Sequence, residues 1–126
     1  MIIAIGTDAI EVERIGRAVD HPQWGQRFRE RIFTPAEIAY CLKRARYAES
    51  FAARFAAKEA VMKALGTGYG QGVWWRDIEV VRGRDRPTIS LHNGALARAA
   101  AIGVARWHLS LTHTAGQALA HVVAES

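Results

Sequence analysis

Residues Arg54 to Gly68 read Arg-Phe-Ala-Ala-Lys-Glu-Ala-Val-Met-Lys-Ala-Leu-Gly-Thr-Gly. No other stretch restricts the possible folds of this chain so strongly. Ala, Leu, Met, Lys and Glu are good helix formers, and the glycines mark where the helix must stop. Alanines and large apolar residues dominate the run, so the helix should be mostly buried. Four charged residues, Arg54, Lys58, Glu59 and Lys63, interrupt it. With about 3.6 residues per turn, Arg54 and Lys58 share one face, and Glu59 and Lys63 share the adjacent one. Two readings stand side by side. Glu59 and Lys63 have the spacing and order of an ordinary helix ion pair, worth about 0.2–0.5 kcal/mol. Alternatively, a carboxylate among cations at the rim of a buried helix can hold a metal and a phosphate together.

The segment after the helix, Gly66-Thr67-Gly68-Tyr69-Gly70-Gln71-Gly72, holds a glycine at every second position. Such a loop is flexible, or it lets its backbone N–H groups approach a ligand. It is not a Walker A loop, because Lys63 precedes the glycines, and it lacks the strand-first order of a dinucleotide fingerprint. At the N-terminus, Ile2 to Ile5 is apolar on both pleat faces and predicts a buried strand over residues 2–9. Gly6 permits a close backbone approach. Asp8 at the strand's end either caps a helix beginning near Glu11 or serves as a ligand, since a buried carboxylate needs a partner.

The remaining elements are read coarsely. A first helix covers Glu11 to Val19 and is broken by His21-Pro22, and a short basic segment runs from Arg27 to Ile32. Thr34-Pro35-Ala36-Glu37 starts a second helix, as N-cap, first-turn proline and early acidic residue, reaching about Arg44. The long helix spans Glu49 to Leu65. Strands near 77–82 and 87–91 flank a turn at Gly83-Arg84-Asp85, and a helix from Gly94 to Ile102 ends at Gly103. Trp107 to Thr114 and Gln117 to Ala124 form a terminal hairpin across Ala115-Gly116. This mixed order predicts a single α+β domain over residues 1–126, with an antiparallel sheet of four or five strands against the long helix.

These residues resemble the short, trimeric 4′-phosphopantetheinyl transferases, the holo-acyl-carrier-protein synthase family, over nearly the whole chain. Ile5-Gly6-Thr7-Asp8 is similar to the family's Gly-x-Asp motif. Arg54 to Ala64 is similar to its long signature, in which an aromatic precedes Ala-Ala-Lys-Glu and a second lysine follows. Phe33 to Glu37, Asp77 to Val80, Arg86-Pro87 and Ser110-Leu111-Thr112-His113-Thr114 extend the likeness. Thr7 and Ala9 stand where bulkier apolar residues are frequent, and the glycine loop is richer in glycine than usual.

The resemblance implies transfer of 4′-phosphopantetheine from coenzyme A to a serine of apo acyl-carrier protein, leaving adenosine 3′,5′-bisphosphate, in fatty acid biosynthesis. It implies Mg²⁺ held by Asp8 and Glu59, with Glu59, Lys63 and Asp8 catalytic. It implies coenzyme A contacts from Arg54, Lys58, Lys63, Gly66, His113 and Thr114, and carrier-protein contacts from Arg14, Arg27 and Phe28. Whether Glu59 or a metal-held water takes the serine proton stays open. A one-unit chain implies a homotrimer with sites between subunits. By position alone, His113 shares a face with leucines and reads as a core histidine; the resemblance makes it a site wall. Arg17 and Arg29 read as solvated helix charges, and Trp74-Trp75 as packing under a loop or at a subunit contact.

Composition agrees. The 126 residues suffice for one domain, and the formal net charge of +5 suits anionic partners such as an acidic protein or coenzyme A. The rival is a basic nucleic-acid-binding module, but no aromatics interleave with Lys and Arg in a recognised motif. Nothing has the length or pattern of a signal peptide or membrane span. The single cysteine, Cys41, excludes an intrachain disulfide, suits a reducing cytoplasm, and reads as a packed helix residue. The histidines have no zinc-ligand spacing.

Overall fold

The computed structural model describes residues 1–126. Strand β1 (Ile2–Glu11) leads into helices α1 (Val12–Val19), α2 (Gly25–Ile32), α3 (Pro35–Leu42) and α4 (Tyr47–Leu65). A single 3₁₀ turn (Trp75–Asp77) precedes strands β2 (Ile78–Arg82) and β3 (Pro87–Leu91), then helix α5 (Asn93–Ala101) and strands β4 (Arg106–Thr114) and β5 (Gln117–Glu125).

Helix α4 is buried nearly all round, as its alanine-rich sequence requires. It ends at Gly66, whose φ of 71° is left-handed; Thr67 N–H then reaches back to the Met62 carbonyl at 3.1 Å, closing the helix end. Helix α3 begins as its sequence predicts. The Thr34 hydroxyl accepts from the Glu37 N–H and the Glu37 carboxylate accepts from the Thr34 N–H, a complete capping box. The basic segment from Arg27 to Ile32 lies within α2.

The expected sheet of four or five strands is instead two separate antiparallel ladders, β1-β5-β4 and β2-β3. A helix apolar on every side cannot be covered by one sheet face, and the two ladders with α1, α3 and α5 enclose it. On the central strand, Ala118, Ala120, Val122 and Ala124 point toward the helix layer and are buried. Small side chains on both surfaces let helix and sheet approach closely. The tightest approach is at Gly6, where an added Cβ would lie 1.9 Å from the Ala60 carbonyl oxygen. Only glycine fits there.

The strand expected to be buried on both faces is covered on one only. Gly6 is buried, whereas Ile5 is 68% exposed and Ile2 and Ile3 are also exposed. The outer face of β1 is therefore an uncovered apolar patch.

Candidate active site

Gly6 fixes the site. Period-two alternation puts Asp8 on the same face of β1 as Gly6, opposite Ala120 of β5. Asp8 is thus delivered to the surface of α4 beyond the Gly6–Ala60 contact. It is a strand residue, not a helix cap: Glu11 holds the N-cap position of α1 and makes no side-chain capping bond. Lys63 Nζ donates to Asp8 Oδ1 at 3.0 Å and to the Thr7 carbonyl at 2.9 Å. The ordinary Glu59–Lys63 helix pair is not what forms; Lys63 turns to the strand instead. Glu59 lies beside them. Burial pushes its carboxyl pKa up, and the neighbouring Asp8 charge pushes it further, against the pull of Lys63 and Arg14. Two carboxylates that repel each other beside a half-exposed lysine form a site that gains from an added cation.

No cluster of three or more His, Cys, Asp or Glu side chains exists to cage a metal. The donor set therefore does not suit a closed zinc site. It fits Mg²⁺, which commonly takes one or two carboxylates and completes its shell with phosphate and water.

Lys58 requires a correction. Expected among coenzyme A contacts, it is wholly buried. Its Nζ donates to Glu37 Oε1 at 2.8 Å, to the Trp75 carbonyl at 3.1 Å and to the Ile78 carbonyl. Three acceptors satisfy the three ammonium protons, leaving none for a ligand. Burial lowers its pKa and the Glu37 carboxylate opposes that. Glu37 Oε2 also accepts from the Val80 N–H at 2.9 Å, so the pair ties α3, α4 and β2 together. The early acidic residue of the capping box was visible in the sequence, but its second task was not.

Arg54 and His113 meet at a different place. They line a cavity of about 280 Å³ with Arg44, Arg82, Arg84 and Arg86. Arg54 is buried, stacks on Tyr40 at 4.3 Å from the ring centre, and leaves its Nε without a hydrogen-bond partner. Its Nη1 makes only a long bond to the Ser50 carbonyl at 3.4 Å. Convergent arginines with an unpaired buried donor are suited to a phosphate. His113 shares the inward face of β4 with the leucines, yet it lies near the strand's end and is half-exposed, 3.5 Å from Glu49. Thr114 follows it, exposed. The arginines of the β2–β3 turn were legible as a turn, not as site residues, because only folding carries them to Arg54. Gly66, the left-handed cap of α4, follows Lys63 within one turn.

Arg14 and Phe28 line a third feature, a largely apolar groove of about 500 Å³ with Trp24, His21, Ile15 and Phe55. Arg14 acts electrostatically on Glu59, so the groove adjoins the carboxylate pair. Arg27 lies on a neighbouring face of α2, in a polar depression with Gln26, Glu30 and Arg31. Arg17 is exposed and paired with Glu13 at 2.7 Å, as a solvated charge should be. Arg29 is not solvated: it is half-buried and donates to the Val19 carbonyl at the end of α1. Cys41 is buried, which pushes its thiol up to about 11 and removes it as a nucleophile.

Residues 4–121 match the 4′-phosphopantetheinyl transferase superfamily. The chain is 48% identical to the holo-[acyl-carrier-protein] synthase of Solibacter usitatus, with all of both chains covered. It is 49% identical to that of Koribacter versatilis over 99% of each. A crystal structure of the Neisseria meningitidis holo-[acyl-carrier-protein] synthase superposes with a TM-score of 0.88 at 35% identity, covering 100% of both chains. The Helicobacter pylori holo-[acyl-carrier-protein] synthase in complex with coenzyme A superposes with a TM-score of 0.82 at 31% identity, covering 96% of this chain and 99% of that one. With that fold, and with Asp8, Glu59 and Lys63 brought together on it, the chain belongs to the 4′-phosphopantetheinyl transferase superfamily.

Proposed function

We propose that the protein is an enzyme that transfers 4′-phosphopantetheine from coenzyme A to a serine hydroxyl of apo acyl-carrier protein. The observation that carries this reading is the Asp8–Lys63–Glu59 arrangement at the β1–α4 contact. In the reaction a bond forms between the serine oxygen and the β-phosphorus, and the bridging pyrophosphate bond breaks. Adenosine 3′,5′-bisphosphate leaves. Asp8 and Glu59 would hold Mg²⁺, which neutralises charge on the pyrophosphate. Lys63, already aimed at Asp8, neutralises the leaving phosphate. Glu59 is the carboxylate placed to receive the serine proton, directly or through a metal-held water.

The basic cavity at Arg54 suits the nucleotide phosphates, with His113 in its wall and the exposed Thr114 next to it in the chain. Arg54 and Lys63 lie nine positions apart, which puts them on opposite sides of α4 and about 13 Å apart along its axis. One chain therefore offers two half-sites that face apart. A site shared between copies, with one copy's carboxylates beside another's arginines, joins them. The exposed apolar face of β1 supplies a surface for that assembly, a cyclic trimer. The groove at Arg14 and Phe28, with Arg27 beside it, fits an acidic carrier-protein helix, apolar at the centre and basic at the rim. No helix is long and apolar enough to cross a membrane; a cytoplasmic place and a role in fatty acid biosynthesis accord with this reading.

Incubation with apo carrier protein, coenzyme A and Mg²⁺, read by mass spectrometry, tests it. The carrier gains one phosphopantetheine group; an unmodified carrier sinks the proposal. A melting temperature raised by an oligonucleotide and not by coenzyme A with Mg²⁺ would favour a nucleic-acid module instead.

A further inference from the structure

The glycine-rich loop leaves α4 directly after Lys63, and its interior is attached to the body of the molecule by few side chains. A Cβ added at Gly68, Gly70 or Gly72 would meet nothing within 4 Å. The loop thus turns bare backbone outward beside the reacting centre. Its own bonds are local: Gly70 N–H to the Val73 carbonyl at 3.1 Å, and Gly68 N–H to the Gln71 side chain at 3.0 Å. At the far end, Gly72 abuts Gly94 of α5.

Tyr69 is different. Its ring stacks on Trp75 with centroids 5.5 Å apart and planes at 24°, and Trp75 stacks in turn on Phe55 of α4 at 5.1 Å. Trp74 meets the Tyr69 ring edge-on at 5.3 Å. Arg31 of α2 donates to the Tyr69 hydroxyl at 2.6 Å. The platform is itself immobilised, because the Trp75 carbonyl accepts from buried Lys58 at 3.1 Å. Exposed glycine backbone loses more conformational freedom on ordering than any other, so an anchor at the loop's centre decides how well the loop is placed.

We propose that Tyr69 is a positioning residue: it clamps the glycine loop between Trp75 and Arg31 so that the loop's backbone is held ready beside Lys63 for coenzyme A. The catalytic part rests on the transferase reading; the clamp itself does not. Trp75 is the platform of this clamp, and Lys58 acts on the loop through Trp75 rather than by touching ligand. Arg31, four residues after Arg27 on α2, is engaged by Tyr69 and is not a free docking charge.

Amide hydrogen exchange of the full chain, without ligand, tests the clamp. In Tyr69→Ala, exchange at residues 68–72 rises at least about tenfold, as expected for losing a ring stack and a hydrogen bond to a charged group, while α4 and β5 are unaffected. Tyr69→Phe keeps the stack and loses the Arg31 bond, so it and Arg31→Ala give a smaller rise confined to the same residues. Unchanged exchange in Tyr69→Ala would overturn the clamp. In steady-state kinetics Tyr69→Ala raises KM for coenzyme A by about tenfold and alters KM for carrier protein by less than about twofold. Equal shifts in both constants would overturn the positioning role. Wild-type protein that transfers nothing would overturn the transferase reading alone, and the exchange experiment would still decide the clamp.

Discussion

Lys58 and Lys63 sit five positions apart on one helix and do opposite things. Lys58 is wholly buried, with a carboxylate and two carbonyls meeting its three protons. Lys63 is 55% exposed, bound to one carboxylate and one carbonyl, beside a second carboxylate whose pKa is raised. The first constellation is closed and finished. The second is open and electrostatically incomplete. Two lysines of one motif are thus divided into architecture and chemistry by what surrounds them, and residue type alone does not separate the two.

The largest expected effect tests the closed side. Lys58→Ala or Glu37→Ala strands a buried charge and should cost about 3–5 kcal/mol of stability, while Lys58→Met with Glu37→Gln, which removes both charges and keeps an acceptor for the Val80 or Thr34 N–H, should recover part of it. Denaturant unfolding measures this. A Lys58→Ala protein of normal stability that fails only in catalysis would return Lys58 to the ligand site and end the contrast.

On the open side, Asp8→Ala, Glu59→Ala and Lys63→Ala should each lower transfer by at least about a hundredfold, a loss typical of removing one group that meets developing charge. Their melting should change little, because half-exposed pairs contribute about 1 kcal/mol or less. Turnover of Asp8→Ala close to wild type at limiting Mg²⁺ would remove the proposed metal pair.

A smaller effect separates the docking groove from both lysines. Arg14→Glu should raise KM for carrier protein by about tenfold and leave KM for coenzyme A nearly unchanged, since it sets like charges face to face at the rim. Salt should weaken the wild-type reaction in the same selective way. Matching changes in both constants would count against a docking role for Arg14.

The smallest effect sharpens the electrostatic difference. Glu59 has a raised pKa in the folded chain, so folding is favoured while it is protonated. That contribution is full below the ordinary carboxylate range and is lost as pH rises through the elevated value. Glu59→Gln keeps a neutral group at every pH. Without metal, its melting temperature should therefore exceed that of wild type by a margin that grows from about pH 4 to pH 7. Mg²⁺ should narrow the margin by stabilising the charged form. A margin that shrinks with pH would show that Glu59 is not held in a disfavoured charge state.

Much of this was legible without coordinates. The glycine stop of α4, the capping box at Thr34, the terminal hairpin and the α+β class follow from local preferences that folding did not override. Gly6 and Asp8 were legible as a motif, and the 1.9 Å approach to Ala60 gives the physical reason for the glycine. All five strands were legible, but their division into two ladders was not, because periodicity marks a strand but not its neighbour. The exposure of Ile5 was misread for a related reason: an apolar residue on an uncovered strand face looks in sequence like one in a core.

The sequence by itself determined where α4 begins to be apolar, where it ends, and that Asp8 stands at the end of a strand. These are short-range matters of propensity, period and spacing. Only the tertiary structure decided that Lys58 turns inward to Glu37 while Lys63 turns to Asp8. It alone carried Arg82, Arg84 and Arg86 to Arg54, and set Tyr69 between Trp75 and Arg31. Those outcomes depend on which distant groups supply acceptors, burial or a stacking face, and the chain acquires such partners only when it folds.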